Sequence, residues 1–458
     1  MEFIGRGYEL GKLEDLYRKG RGIAVIWGRR RVGKSELIKH FMDGKEGIYY
    51  EIGDERGPAI LSEFSAIVAD AIGSRASSYP SWRDAILEYA DHAPGRKVIA
   101  IDEFQYLMMS EPGILKGLQA LWDGELSKRD VLLILCGSYL SVMRGVAGSY
   151  DSELYGRYGY NDRLLPFTFT EAYGSREDHR RAVEEYAVTG GVPYYMELMD
   201  PGKSPVDNLI AMTLDRGAPL ANEPLYVFKG ELKDSSGYGF YIRSIAMGNR
   251  RMGDIASSAG RKGSEVSPIL QRLQDIGAVE RTVPITADPE TSRRGIYEVA
   301  DVFMLAWYRF VYRARRGTRD DTADAAIGHL RAHFMDTHVA HVFEDVCREV
   351  LREALRAEDI SASYGRYWND RDEIDVVAID GENRVVYAGE CRFRDDPVDR
   401  DVLEELVAKC AYAKEFDGYT IRYCLFSVSG YTDAALEMAE AEGAILFDNG
   451  RVMPRFGI

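Results

Sequence analysis

The stretch Ile23-Ala24-Val25-Ile26-Trp27-Gly28-Arg29-Arg30-Arg31-Val32-Gly33-Lys34-Ser35 decides how the rest of the chain is read. Its first five residues form an apolar run of the kind that makes a strand buried on both faces. Gly28 to Ser35 then fits G-x-x-x-x-G-K-[ST], and Glu36-Leu37-Ile38-Lys39-His40-Phe41 places apolar residues at helical spacing. Strand, glycine-bounded loop and helix, in that order, separate a phosphate-binding loop from a chance match. In such a loop the backbone N–H groups point inward around phosphates, and the next helix turns its positive dipole end towards them. The expected nucleotide-binding residues are Gly28, Arg29, Arg30, Arg31, Val32, Gly33, Lys34 and Ser35. Lys34 would reach the β- and γ-phosphates, and the Ser35 hydroxyl would ligate Mg2+.

Composition bounds the remainder. A chain of 458 residues is too long for one ordinary core, which implies two to four domains. Hydrophobic content of 46% and charged content of 29% suit a soluble globular protein. No apolar run approaches the ~18 residues of a membrane span, and Met1-Glu2-Phe3-Ile4-Gly5-Arg6 lacks the form of a signal peptide. The five cysteines are irregularly spaced and fit neither a disulfide framework nor a zinc pattern, which points to a reducing cytoplasm. A net charge of −16 argues against a general nucleic-acid coat protein but leaves room for a local basic patch.

Lys97-Val98-Ile99-Ala100-Ile101-Asp102-Glu103 reads as a buried strand with two carboxylates at its carboxyl end, where open α/β sheets place ligands. Asp102 would hold Mg2+ through water, and Glu103 would orient and deprotonate the attacking water. Val131-Leu132-Leu133-Ile134-Leu135-Cys136-Gly137-Ser138 is a further apolar strand. Ser138 there either senses the γ-phosphate or caps the helix that follows. Arg157 and Arg163 each offer a guanidinium that could stabilise the transferring phosphoryl group, in cis or from a neighbouring subunit. A small helical lid is expected from Thr170 to about Asp200, ending in Gly190-Gly191-Val192-Pro193-Tyr194-Tyr195, a tight turn able to close over the base.

Taken together, Phe3-Ile4-Gly5-Arg6, Gly28–Ser35, Ile101-Asp102-Glu103-Phe104-Gln105, Cys136-Gly137-Ser138, Leu154-Tyr155-Gly156-Arg157 and Gly190-Gly191-Val192-Pro193 resemble the archaeal-type ATPase family. That family sits in the AAA-related, signal-transducing (STAND) branch of P-loop NTPases. The resemblance covers roughly the first 200 residues. It implies a five-stranded parallel core, ATP as the nucleotide, and a nucleotide-dependent switch. It also implies hydrolytic roles for Lys34, Ser35, Asp102, Glu103, Ser138 and Arg157, and adds Gly5, Arg6 and Pro193 to the nucleotide-binding set. The side chains of Arg29, Arg30 and Arg31 are expected to face the lid or tail, because backbone amides and Lys34 already serve the phosphates.

Downstream the pattern changes. Residues 238–300 read as three helices and a β-hairpin, a winged helix-turn-helix like the module that follows the core in this family. It serves either DNA binding, with Arg250, Arg251, Arg261, Lys262, Arg293 and Arg294 on phosphates, or protein contact. Residues 341–450 resemble the C-terminal domain that accompanies the family, itself of restriction-endonuclease-like character. Glu344, Asp375 and Glu390 could share one or two Mg2+ ions. The lysine of E-x-K is here Arg392, which stays protonated and cannot act as a general base.

The expected architecture is therefore α/β and multidomain: a P-loop ATPase core at 1–168, a helical lid at 169–235 and a winged helix at 236–312. A connector at 313–340 and a restriction-endonuclease-like α/β domain at 341–458 complete it. The expected function is a cytoplasmic, ATP-binding and ATP-hydrolysing Mg2+-dependent switch. The alternatives are an ATP-regulated DNA-binding protein or Mg2+-dependent nuclease, and a nucleotide-gated scaffold with DNA or protein partners, as a monomer or an oligomer.

Overall fold

The computed structural model describes every residue except 1–2, 54–56, 76–77, 148–151, 229–230, 233–234, 317–320, 456 and 458. The chain forms two compact units, one of Met1–Pro166, Val192–Glu197 and Val227–Lys233, the other of Phe167–Gly191, Leu198–Tyr226 and Asp234–Ile458. The stretch expected as a lid, 169–235, is thus divided between them.

The first unit is built on strands β1 (Gly22–Trp27), β2 (Gly47–Glu51), β3 (Lys97–Asp102), β4 (Val131–Gly137) and β5 (Tyr160–Arg163). All are parallel, in the order β2-β3-β4-β1-β5. The apolar runs are continuous because both faces of the sheet are covered. Successive side chains alternate between those faces. Ile23, Val25, Ile99, Ile101, Leu133 and Leu135 pack with Ile60, Phe64, Trp82, Ile86 and Leu118 of the helices on one side. Ala24, Ile26, Val98, Ala100, Leu132 and Ile134 pack with Leu13, Leu16, Leu37, Ile38 and Phe41 on the other.

The register sets the site. Trp27 lies opposite both Gly137 and Arg163, and Asp102 opposite Glu51. The loops that leave β1, β3 and β4 therefore share the carboxyl edge of the sheet, with β4 between the other two.

In the second unit, helices Ser235–Ala246, Met252–Ser258 and Gly263–Asp275 precede an antiparallel pair, β6 (Val279–Thr282) and β7 (Ile296–Val299). The aromatic stretch from Val302 buries Phe303, Trp307, Phe310 and Val311. Within 313–340, expected as a connector, Asp321–Phe334 is helical, and 317–320 lie outside the described residues. Helix Ala340–Ala357 then leads into β8 (Ser363–Trp368), β9 (Glu373–Asp380), β10 (Val385–Arg392), β11 (Thr420–Ser427), β12 (Ile445–Asp448) and β13 (Arg451–Val452). They form one mixed sheet in the order β13-β12-β11-β10-β9-β8. Among the described residues no helix is long and apolar enough to cross a membrane.

Candidate nucleotide site

The loop after β1 is shaped by residues whose backbone few side chains tolerate. A Cβ on Gly28 would sit 2.3 Å from the Leu164 carbonyl oxygen, so only glycine lets β5 approach this closely. Gly33 has φ +88° and Arg31 φ +72°, which curl the chain before the helix Lys34–Met42 begins. Lys34 is buried, and its Nζ donates to the Arg29 carbonyl at 3.0 Å. This holds the ammonium inside the loop that it helps to close.

Gly5 and Arg6 follow one another in the left-handed region, φ +66° and +59°. That turn aims the buried Arg6 guanidinium at two carbonyls, Val32 O at 3.1 Å and Leu165 O at 2.6 Å, with Glu9 at 3.2 Å. Arg6 thus clamps the phosphate-loop backbone to the segment after β5. Pro193 lies beside the same loop, its Cγ 3.6 Å from where a Gly33 Cβ would stand.

The three loop arginines meet tyrosines. Arg29 donates to the Tyr195 hydroxyl at 2.8 Å and Arg30 to the Tyr106 hydroxyl at 3.1 Å. The Arg31 guanidinium lies 4.3 Å from the Tyr194 ring centre. Tyr194 and Tyr195 belong to Val192–Glu197, the one part of the expected lid, besides residues 227–233, that joins the first unit.

At the end of β3, Asp102 accepts from the Ser35 hydroxyl at 2.5 Å and the Tyr49 hydroxyl at 2.6 Å. Burial works to raise the Asp102 carboxyl, but hydrogen bonds from Cys136, Ser35, Tyr49 and the Glu103 N–H outweigh it and hold the group below its ordinary value. Asp102 is therefore ionised at neutral pH. Burial, with Asp102 next in effect, pushes the Tyr49 hydroxyl far upward, so Tyr49 remains a donor. Glu103 has φ +53°, an uncommon conformation for a non-glycine residue and one that gathers at functional sites. Its carboxylate accepts from Ser138 Oγ at 2.7 Å and from Gln105 Nε2.

The two arginines expected to stabilise charge are differently placed. Arg157 forms a two-pronged pair with Asp123, Nε–Oδ1 and Nη2–Oδ2 both 2.8 Å, on the exposed surface. Arg163 ends β5 directly opposite Trp27, its guanidinium 5.9 Å from that ring centre.

In the second unit, Asp375 on β9 and Glu390 on the paired strand β10 lie near one another. Burial, then the charges of Glu390 and Glu344, push the Asp375 carboxyl well above the usual range. Glu390 is buried and answered by two cations, Arg392 Nη1 at 2.9 Å and Lys409 Nζ at 2.5 Å. Glu344 instead sits 3.5 Å from His341 Nδ1 and 3.9 Å from Arg366 Nη1. Among the described residues, no three His, Cys, Asp or Glu side chains gather as a metal site. Glu344 and Glu390 each face cations in this arrangement, while the charges of both act on Asp375. Of the arginines expected on DNA, Arg250 pairs with Glu298 and Arg294 with Glu415 at 3.4 Å.

Sequence reading missed Tyr49, Gln105 as a side chain, and Lys409. Tyr49 is signalled only by a polar tip on an apolar strand, and Lys409 by one charge on the half-buried helix Arg400–Tyr412.

Comparison with known proteins agrees with the first unit's geometry. Residues 3–199 match the family described as "ATPase domain predominantly from Archaea", and residues 307–405 match "Archaea bacterial proteins of unknown function". An uncharacterised protein of Methanocaldococcus jannaschii is 27% identical over 407 residues, covering 87% of this chain and 89% of that one. A second uncharacterised protein of the same organism is 56% identical over 41 residues, 9% of this chain and 40% of its own length. A Walker-type ATPase of Pyrococcus abyssi is similar at 19% identity, covering 67% of this chain and 96% of that chain with a TM-score of 0.46. The chain carries a P-loop ATPase domain of archaeal type over residues 3–199, followed by a domain from a family of unknown function.

Proposed function

We propose that this chain is an ATP-hydrolysing switch of the AAA/STAND type, with Glu103 as the general base. The observation that carries the reading is one hydrogen-bonded edge: Ser35 on ionised Asp102, and Glu103 beside it on Ser138. Paired hard oxygen donors, one of them charged, suit Mg2+, and the ion would supply neutralisation of β- and γ-phosphate charge.

The chain's own groups do the remaining work. Lys34 and the loop N–H groups bind the phosphates. Glu103 takes the proton of the attacking water as its oxygen bonds to the γ-phosphorus and the bond to ADP breaks, releasing ADP and phosphate. Ser138 donates towards the γ-phosphate or the water. Arg163, at the sheet's carboxyl edge, and Arg157, paired with Asp123, are the two candidates for charge stabilisation. The expected result is steady ATP turnover by the purified chain with Mg2+, lost on adding EDTA. Phosphate release no faster than a protein-free blank would remove the reading.

A second reading, in which the switch governs nucleic-acid cleavage by a restriction-endonuclease-like tail, is supported by Asp375 and Glu390 on paired strands. Lys409 provides there the ammonium that Arg392 replaces in the motif. The winged-helix reading of 236–312 adds Arg251, Arg261, Lys262 and Arg293 as phosphate contacts. Incubation with duplex and single-stranded DNA, Mg2+ and ATP should yield cleavage that Asp375→Ala abolishes. Intact DNA, or cleavage that survives the substitution, would sink the tail's part in the scheme.

A further inference from the structure

We infer that Gln105 is the positioning residue of the hydrolytic site, binding the base Glu103 and Ser138 into a single hydrogen-bonded unit. The inference rests on the proposed ATPase reading and adds a residue to it.

Gln105 is fully buried on the helix Phe104–Ser110, two residues beyond Glu103. A buried amide must be satisfied on both ends. Its Nε2 donates to Ser138 Oγ at 3.2 Å and to the Glu103 carboxylate, and its Oε1 accepts the Ser138 backbone N–H at 3.1 Å. The amide's orientation follows from the chemistry of its neighbours. Turned over, it would set its carbonyl against a carboxylate and its NH2 against an N–H.

With Ser138 Oγ also donating to Glu103 at 2.7 Å, the three side chains close a triangle that joins the ends of β3 and β4. Each edge constrains the other two, which is the condition for a carboxylate held within a fraction of an ångström.

A separate observation points the same way. Gly137, immediately before Ser138, has no room for a side chain: a Cβ there would lie 2.6 Å from Gln105 Oε1 and 2.5 Å from Met143 Sδ. The glycine of Cys136-Gly137-Ser138 thus makes the space the amide occupies. The next residue along repeats the stitch. Tyr106 shares a hydrogen bond with Tyr139 at 3.2 Å and accepts from Arg30 of the phosphate loop at 3.1 Å. The helix after Glu103 is thereby pinned to the strand end beside it and to the loop.

The consequence is directional. When Ser138 turns its hydroxyl to a γ-phosphate, Glu103 loses one donor and keeps the other, so Gln105 decides where the carboxylate then points. Gln105 touches no reacting atom. Its removal should spoil the geometry of the base and spare nucleotide binding.

Gln105→Met keeps the shape and removes all three hydrogen bonds. The expected result is a kcat about 10- to 100-fold below wild type, with affinity for a fluorescent ATP analogue unchanged within about 3-fold. Because Gln105 and Ser138 act as one unit, Gln105→Met combined with Ser138→Ala should cost no more in kcat than the worse single change. Gln105→Asn, which keeps the amide but falls one methylene short, serves where the Met variant does not fold and should show the same kcat loss. Wild-type kcat in a folded variant, additive losses in the double variant, or parallel loss of kcat, affinity and thermal midpoint would each overturn the inference. An inert wild type, or undiminished turnover after Glu103→Gln, would instead overturn the ATPase reading beneath it.

Discussion

Glu103→Gln is expected to lower ATP turnover by about 100- to 10,000-fold, the usual worth of a positioned general base. The substitution keeps the size and the hydrogen-bonding outline of the side chain. Ser138 Oγ at 2.7 Å and the Gln105 amide still find an acceptor in the new carboxamide oxygen, so the local fold should survive. The variant cannot take a proton from water at any working pH. Asp102, hydrogen-bonded to Ser35 and Tyr49, is untouched. ATP and Mg2+ should therefore bind as before, and the protein should retain ATP in place of turning it over. Single-turnover phosphate release beside equilibrium binding of labelled ATP reads both quantities. Equal turnover in variant and wild type would take the base role away from Glu103.

Lys34→Ala should act at the earlier step. The Lys34 ammonium is buried and rests on the Arg29 carbonyl at 3.0 Å, already within the loop. A charge-assisted contact to a phosphate contributes roughly 1.5–3 kcal/mol, so ATP affinity should fall about 10- to 100-fold. The side chain also closes the loop on itself, and its loss should loosen the turn held by Gly33 at φ +88°. ADP, which lacks the γ-phosphate, should lose less affinity than ATP. Titrations with both nucleotides test this, and equal, undiminished binding of ATP would remove Lys34 from the site.

The two variants separate binding from chemistry. A chain that loses ATP with Lys34→Ala and retains it with Glu103→Gln behaves as a switch whose nucleotide state can be fixed by design. Either variant then becomes the control for the tail, since DNA cleavage under ATP control should differ between them.

Much of the first unit was legible in the sequence because its chemistry is carried by contiguous residues. Gly28–Ser35 holds its own strand end, loop and helix start, and Asp102-Glu103 follows an unbroken apolar strand. Where an assignment depended on a distant partner, the sequence was silent. Arg157 offered a guanidinium for charge stabilisation, yet Asp123, on the helix Ile114–Gly124, holds its Nε and Nη2. Arg6 was placed with the nucleotide-binding residues, and the sequence did not show that its guanidinium grips the Val32 and Leu165 carbonyls, the second 159 residues away. In the second unit β8 went unread, because Ser363-Tyr364-Gly365-Arg366-Tyr367-Trp368 alternates weakly and its register shifts between Gly365 and Tyr367. Lys409 is one charged residue on a half-buried helix until the sheet brings Glu390 to it.

By itself the sequence determined the phosphate loop and the acidic pair after β3, since backbone geometry and burial on both faces leave a local imprint, and the family resemblance implied the parallel core. Tertiary structure alone decided the strand order β2-β3-β4-β1-β5, and with it the company each group keeps. Inserting β4 between β1 and β3 sets Ser138 against Glu103 and Gln105, while β2 beside β3 brings Tyr49 to Asp102. Such pairings join residues 33, 35 and 53 positions apart in the chain. They arise from packing the sheet, whose energy is spread over many apolar contacts and written in no single motif.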